Sequence, residues 1–128
     1  MSKKYFTPEE ANQLLPYVRE EISYLQGLKS QFQETYRERE HLKKLQSATD
    51  DAMFTLECKL EFMEMEAQMR LQHLAASGIQ VKDIDVGLVD FPALLNGEEV
   101  LLCWREGEEA VEHYHGLYDG FIGRKKLD

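Results

Sequence analysis

The sequence has few of the features that mark a disulfide scaffold, a membrane protein or a nucleic-acid-binding protein. It contains two cysteines in 128 residues. Cys58 and Cys103 lack CxxC spacing, and we expect both to be buried, unpaired thiols. The longest apolar run is VLLCW, residues 100–104, far short of the roughly 20 residues of a membrane helix. With a net charge of −9, neither half offers the basic surface that nucleic acids require.

The N-terminal segment MSKKYFTPEE has two lysines but no apolar stretch behind them, so it does not have the pattern of a secretory signal. Hydrophobic residues make up 43% of the chain and charged residues 30%, which is typical of a folded soluble domain. We therefore expect a cytoplasmic protein that binds neither membranes nor nucleic acid.

The first helix is predicted from its start signal and from its apolar spacing. Thr7 and Glu10 have the spacing of a reciprocal capping box, and Pro8 suits the first helical position because its missing N–H costs nothing there. Steps of four and three residues then place one apolar stripe on a helix of about 38 residues. This stripe comprises Ala11, Leu15, Val18, Ile22, Leu25, Phe32 and Tyr36.

A second helix is predicted after the break QSATDD, with Thr49 or Asp50 as its cap. Ser77 and Gly78 end it, because glycine suits the left-handed residue just past a helix. Its apolar seam comprises Met53, Leu56, Leu60, Met63, Ala67, Arg70 or Leu71, and Leu74. The two helices form an antiparallel hairpin over residues 1–77.

The second helix carries more apolar residues than one seam needs. A second apolar surface comprises Phe54, Cys58, Phe62, Met65 and Met69. A helix of about 38 residues is roughly 57 Å long, so two such helices alone cannot bury both surfaces. Either the C-terminal segment covers the second surface, or another copy of the chain does. We expect a homodimer with a four-helix, coiled-coil-like core.

Residues 78–128 change from helical to strand-like composition. Asn96 and Gly97 both tolerate positive φ and are typical of a two-residue hairpin turn. The strand over residues 99–104 is apolar on both faces and is expected at the centre of a small sheet. Pro92 lacks a donor, which predicts an edge or turn position. The fold class is mainly α with a small β element (α+β): a helical hairpin with a compact tail packed on it.

Several segments resemble, in the same order, domain-of-unknown-function family 2203, an uncharacterised bacterial family. These segments are FTPEEANQLLPYV at the start, GLVDFPAL, CWREGE, YH and GFIGR. Two positions depart from the expected pattern: Tyr114 stands where the family suggests Trp, and no proline follows Arg124. The resemblance implies a long helical hairpin with a compact tail, and it implies no settled activity.

Most of the polar residues with chemical potential lie in the tail. Arg105 follows an apolar strand, and an arginine there needs a carboxylate or an anionic ligand. Asp90 is predicted to lie opposite Cys103 and close to Arg105, either as a buried structural pair or as the wall of a site. The glycines near Arg124 allow it to approach an anion beside His115. The candidate ligand-binding residues are Asp90, Trp104, Arg105, Glu108, His115 and Arg124.

A divalent metal is a further possibility for this tail, although the sequence predicts no cofactor. If the segment GEEAVEHYH is helical, the weak candidate ligands Glu108, Glu112 and His115 lie near one face. If the segment is extended, His113 and His115 share a face instead. Neither arrangement supplies a complete ligand set. The only nucleophile with a nearby base is Cys103 with His115, and Cys103 is predicted inside a strand.

Two functions follow from these observations. The first is a non-enzymatic assembly or interaction module that dimerises through the hairpin. It presents a recognition surface around Trp104, Arg105 and Arg124. Its partners are a second copy of the chain at the hairpin and a protein or a small anion at the tail. The second is a small anionic-ligand or divalent-metal-binding protein, with or without catalysis. It would use Asp90, Arg105, Glu108, His115 and Arg124. We expect the first.

Overall fold

Two long helices form the first half of the protein, whose computed structural model describes residues 4–45 and 49–128. Helix α1 spans Pro8–Leu45 and α2 spans Asp50–Ala76. The helices are antiparallel, because Glu21 pairs with Arg70 near one end while Arg39 pairs with Glu57 near the other. The predicted helical hairpin is confirmed, and no helix within the described ranges is long and apolar enough to cross a membrane.

The helix ends follow the sequence signals. Thr7 Oγ1 accepts a hydrogen bond from the Glu10 amide at 3.1 Å, and Glu10 Oε1 accepts one from the Thr7 amide at 2.9 Å. Thr49 Oγ1 accepts from the Ala52 amide at 3.1 Å, so Thr49 is the cap of α2. Gly78 has a φ of +88° just past the end of α2. The predicted start of α1 and both predicted ends of α2 are therefore confirmed.

The second half is a five-stranded antiparallel sheet. Its strands, in both spatial and chain order, are β1 (Gln80–Asp83), β2 (Leu88–Leu95), β3 (Glu98–Arg105), β4 (His113–Gly116) and β5 (Lys125–Lys126), with a 3₁₀ turn at Phe121–Gly123. The β2–β3 turn uses Asn96 and Gly97 at φ of +52° and +80°, as predicted. Strand β3 lies in the middle of the sheet, which confirms its expected central position.

One hydrophobic core joins the helices to the sheet. Successive residues of a strand point to opposite faces, and we define the inner face of the sheet as the face that packs on α1. The α1 side of this core is the predicted stripe from Ala11 to Leu25. The sheet side of the core comprises Val89, Phe91 and Ala93 of β2 and Val100, Leu102 and Trp104 of β3.

Trp104 was expected at a recognition surface, and that prediction is wrong. Its side chain is fully buried, and its indole Nε1–H donates to the Glu108 carbonyl at 3.0 Å. Alternation along β3 decides this position, because Trp104 lies on the same face as Leu102 and therefore faces the helices. A buried tryptophan with its N–H paired is a core residue.

Pro92 was expected at an edge or in a turn, yet it lies inside β2, which has β1 on one side and β3 on the other. The β1–β2 pairing ends at Asp90, so the β1 side of Pro92 has no strand beside it. The Pro92 carbonyl instead accepts a hydrogen bond from the Phe6 amide at 2.7 Å. Because the N and O of a strand residue point to the same side, the missing N–H breaks no ladder bond.

The sheet does not cover the second apolar surface of α2. Contacts from α1 to the β1–β2 turn extend as far as Lys29, which pairs with Asp85, and α1 continues to Leu45 for about 24 Å more. The side chains of Phe54, Phe62, Met65 and Met69 are each between 56% and 67% exposed. Cys58 is also exposed in the single chain, where the sequence predicted burial.

The loop between β3 and β4, residues 106–112, is fastened to α1 by side chains. The Val111 amide donates to Asn12 Oδ1 at 2.7 Å, and Asn12 Nδ2 donates to the carbonyls of Val111 at 3.3 Å and Pro8 at 2.9 Å. Arg19 donates to the Glu109 carbonyl at 2.6 Å. The start of β4 is therefore held by the first turns of α1.

Replacing Asn12 by Ala should lower the free energy of unfolding by about 1–3 kcal/mol, because it leaves the backbone of Val111 without its side-chain partner in a partly buried setting. Urea denaturation followed by circular dichroism measures this loss. The neighbouring exposed residue Gln13 provides the control, and Gln13→Ala should change stability by less than about 0.5 kcal/mol. Equal losses in the two variants would contradict the role of Asn12.

Candidate functional site

A cluster of three polar side chains lies on the outer face of the sheet, the face opposite α1. Asp90 of β2 pairs in register with Cys103 of β3, and His115 of β4 pairs with Leu101. Asp90 is 1% exposed, Cys103 is fully buried and His115 is 4% exposed. Their donor atoms all lie within 4.8 Å of one another. We call Asp90, Cys103 and His115 the outer cluster.

The C-terminal segment lies against this side of the sheet. The Phe121 ring is 4.3 Å from the Arg124 guanidinium carbon and 5.6 Å from that of Arg105. Arg124 Nη1 lies 3.9 Å from Cys103 Sγ. These contacts place the C-terminal segment against Cys103 on the outer face of the sheet, where it contributes to the burial of the polar residues there.

The hydrogen bonds of His115 fix where its protons lie. Nδ1 is 2.8 Å from the Gly116 carbonyl oxygen, and a carbonyl only accepts, so Nδ1 carries a hydrogen. Nε2 is 3.1 Å from Asp90 Oδ2. One further proton therefore lies between Nε2 and Oδ2, either on the imidazole or on the carboxyl group. The Asp90–His115 pair is neutral as a whole in both cases.

Two further atoms of the outer cluster, Asp90 Oδ1 and Cys103 Sγ, have surroundings that are unusual for buried polar atoms. Asp90 Oδ1 is buried and has no hydrogen-bond partner at ordinary distance among residues 4–45 and 49–128, and the Cys103 thiol is only a weak donor to this carboxyl group. Burial raises the pKa of Asp90, although the charge of His115 opposes this effect. Burial and the Asp90 charge together raise the pKa of Cys103 to about 11, so at neutral pH Cys103 is a protonated thiol and a poor nucleophile.

Glu108 and Arg124 form an ion pair beside the cluster. Arg124 donates two hydrogen bonds to the Glu108 carboxylate, at 3.0 and 2.6 Å, and the Arg105 amide donates a third at 2.7 Å. Burial would raise the pKa of Glu108, but the hydrogen bonds from Arg124 and from the Arg105 amide lower it below its usual range. The guanidinium of Arg124 is therefore already neutralised by Glu108.

Comparison with protein-family models matches residues 4–127 to the family described as "Uncharacterized conserved protein (DUF2203)". The chain belongs to the DUF2203 family. The match spans both the helical hairpin and the sheet and confirms the resemblance seen in the sequence segments. No curated protein and no solved structure matched the chain.

In this DUF2203 chain, the predicted partner of Asp90 is wrong. Asp90 is opposite Cys103, as expected, but it pairs with His115 rather than with Arg105. Arg105 is opposite Leu88 at the end of β3, where it is exposed and lies over the Phe121 ring. The sequence did not show that β4 would bring His115 beside β3, and this register decides the partner.

The structure does not bring together Glu108, Glu112 and His115, the residues that the sequence suggested as metal ligands. Residues 106–112 form a turn and loop rather than a helix, so the extended alternative is correct and His113 and His115 share the outer face. Glu112 is exposed, and Glu108 is engaged by Arg124. Cys103 was not among the predicted ligands, although its predicted position opposite Asp90 could have indicated that it belongs to the same cluster.

Cys103 should be far less reactive in the folded protein than in the unfolded chain. At pH 8, iodoacetamide should label native Cys103 at least about 100-fold more slowly than Cys103 of protein unfolded in urea, because a thiol with a pKa of about 11 is almost entirely protonated. Mass spectrometry should find no label on Cys103 of the native protein, whereas protein unfolded in urea should carry a label on both cysteines.

The Cys58→Ser variant, in which Cys103 is the remaining thiol, is the control, and its native form should remain unlabelled over the period in which the same variant unfolded in urea gains one label. Rapid labelling of that variant in its native form would contradict the buried, protonated state of Cys103.

Proposed function

We propose that this DUF2203 protein is a cytoplasmic, non-enzymatic assembly module that forms a homodimer through α2. The observation that supports this proposal is an exposed apolar stripe on α2. The stripe comprises Phe54, Cys58, Phe62, Met65 and Met69. We call it the α2 stripe. Two unpaired thiols are typical of proteins in a reducing compartment, which supports the cytoplasmic assignment.

The α2 stripe lies away from the side of α2 that is buried, and three of its members, Phe54, Cys58 and Phe62, line a groove whose other wall is formed by residues of α1. Its members are spaced by four, four, three and four residues, so they follow one side of the helix. Leu56, buried against α1, lies two residues from Phe54 and therefore on the far side of α2. Neither α1 nor the sheet covers the stripe, whose members remain exposed in the single chain.

A second copy of the chain is the occupant that fits this stripe. The stripe runs through about four helical turns, roughly 22 Å, and two aromatic rings with two thioethers lie along it. A two-fold axis would place each stripe against its own copy, which satisfies the self-complementarity of an isologous interface. Two hairpins paired in this way form a four-helix bundle.

The exposed area supports a stable pairing. Phe54 and Phe62 are each about two-thirds exposed, and an aromatic side chain buries roughly 150–250 Å². With the methionines and the flanks of both helices, each partner approaches the roughly 800 Å² of a standard interface. Pairing through α2 would leave the outer face of the sheet, with exposed Arg105 and the C-terminal segment, free to act as the recognition surface.

Phe62→Glu should abolish the dimer at micromolar concentrations. Size-exclusion chromatography with light scattering should give twice the chain mass for the wild type and the single chain mass for this variant. Losing a buried phenylalanine costs about 1.5–3 kcal/mol, and the two-fold axis doubles that loss. The dissociation constant should therefore rise by at least about 100-fold.

The matched control is Ile122→Glu, which places the same charge at an apolar side chain that is 98% exposed in the C-terminal segment. This variant should remain dimeric. A wild-type protein that is monomeric at about 100 µM, or a Phe62→Glu variant as dimeric as the control, would overturn the proposal.

A further inference from the structure

We propose that the outer cluster, Asp90, Cys103 and His115, binds one divalent transition-metal ion of the zinc class. Carboxylate oxygen, thiolate sulfur and imidazole nitrogen are the three donor types that proteins use for zinc. The site lies within one chain, so it is independent of the dimer proposed above.

The distances suit a tetrahedral ion. All three donor atoms lie within 4.8 Å of one another. Zinc bonds of about 2.0–2.3 Å in a tetrahedral site place donors roughly 3.3–3.8 Å apart, so the most widely separated donors need to converge by roughly 1–1.5 Å. Adjacent strands hold the three residues, and the backbone pairing of Asp90 with Cys103 fixes the first two directly opposite each other.

His115 is already oriented as a ligand. Its Nδ1–H donates to the Gly116 carbonyl at 2.8 Å, which directs Nε2 toward Asp90. Metal-binding histidines typically make this second hydrogen bond to a carbonyl or carboxylate, and it fixes both the tautomer and the ring angle. Once the proton between Nε2 and Asp90 Oδ2 has been released, Nε2 can donate its lone pair to a metal.

The unpartnered oxygen of Asp90 is the independent observation that favours a ligand. A structural Asp–His pair accounts for Oδ2 but leaves Oδ1 buried without a partner among the described residues. A buried polar atom without a hydrogen bond is costly in a folded protein. Coordination to a metal would satisfy it.

The charges also balance. A divalent ion bound by one carboxylate, one thiolate and one neutral imidazole gives a neutral cluster, which a buried site tolerates. Without metal, the thiol proton and the proton between Asp90 and His115 make the cluster neutral as well. Each ion bound therefore releases two protons to solvent. The nearby cation Arg124 is held by Glu108 through two hydrogen bonds, which reduces its repulsion of a metal.

Cobalt provides a spectroscopic test on the full chain. Titration of metal-free protein with Co²⁺ should produce the visible bands of tetrahedral cobalt and a near-ultraviolet sulfur-to-cobalt charge-transfer band, saturating at one ion per chain. Added Zn²⁺ should remove both signals. Cys103→Ser should lose the charge-transfer band, and Asp90→Asn should weaken binding by at least about tenfold.

Cys58→Ser is the matched control because Cys58 is the other thiol and is exposed; this variant should keep the complete spectrum. Phe62→Glu should also bind cobalt normally, which separates failure of the metal site from failure of the dimer. A wild-type protein that gives no cobalt spectrum, or a charge-transfer band that depends on Cys58 rather than Cys103, would overturn the proposal.

Nitrogen NMR of the wild-type protein supplies a readout that needs no variant. Zinc binding should shift the resonance of His115 Nε2, while His41, an exposed histidine on α1, should not respond. An unchanged His115 signal at saturating zinc would equally overturn the site.

Discussion

The burial of both faces of β3 is the constraint on which the rest of the structure depends. Leu102 and Trp104 face α1, while Leu101 and Cys103 face the opposite side and are also buried. A central strand of this kind needs cover on each face. The helices supply one cover, and the C-terminal segment with Phe121 and Arg124 supplies the other. Polar residues on neighbouring strands, Asp90 and His115 among them, are buried as a consequence.

The local signals predicted the elements well because each depends on residues near one another in the chain. The capping box at Thr7, the cap at Thr49 and the turn at Asn96 are all of this kind. The partner of Asp90 depends on the β3–β4 register, which follows a seven-residue loop fastened to a distant helix by Asn12. Spacing along the chain carries no information about that contact. The exposure of Cys58 in the single chain was also not predicted, although the sequence did show that its face of α2 is apolar.

The helical hairpin has two parts that differ in how far their apolar residues are buried. Near its open end, α1 packs on the sheet and its stripe is buried as far as Leu28. Farther from the sheet, Tyr36 and Phe54 remain exposed although they are apolar. One half is therefore a component of a folded core, and the other is a two-helix extension with one unsatisfied side. This division explains how a single chain combines a stable sheet with a surface suited to pairing.

The contact between Phe6 and Pro92 has a consequence for the free edge of the sheet. Beyond Asp90, β2 has no strand beside it on the β1 side, and such an edge is a template for intermolecular strand pairing and aggregation. Here the Phe6 amide already occupies the carbonyl of Pro92 at 2.7 Å, and proline offers no amide to an incoming strand. Phe6, which precedes α1, thus shields this part of the edge from pairing with another chain, without forming a sixth strand.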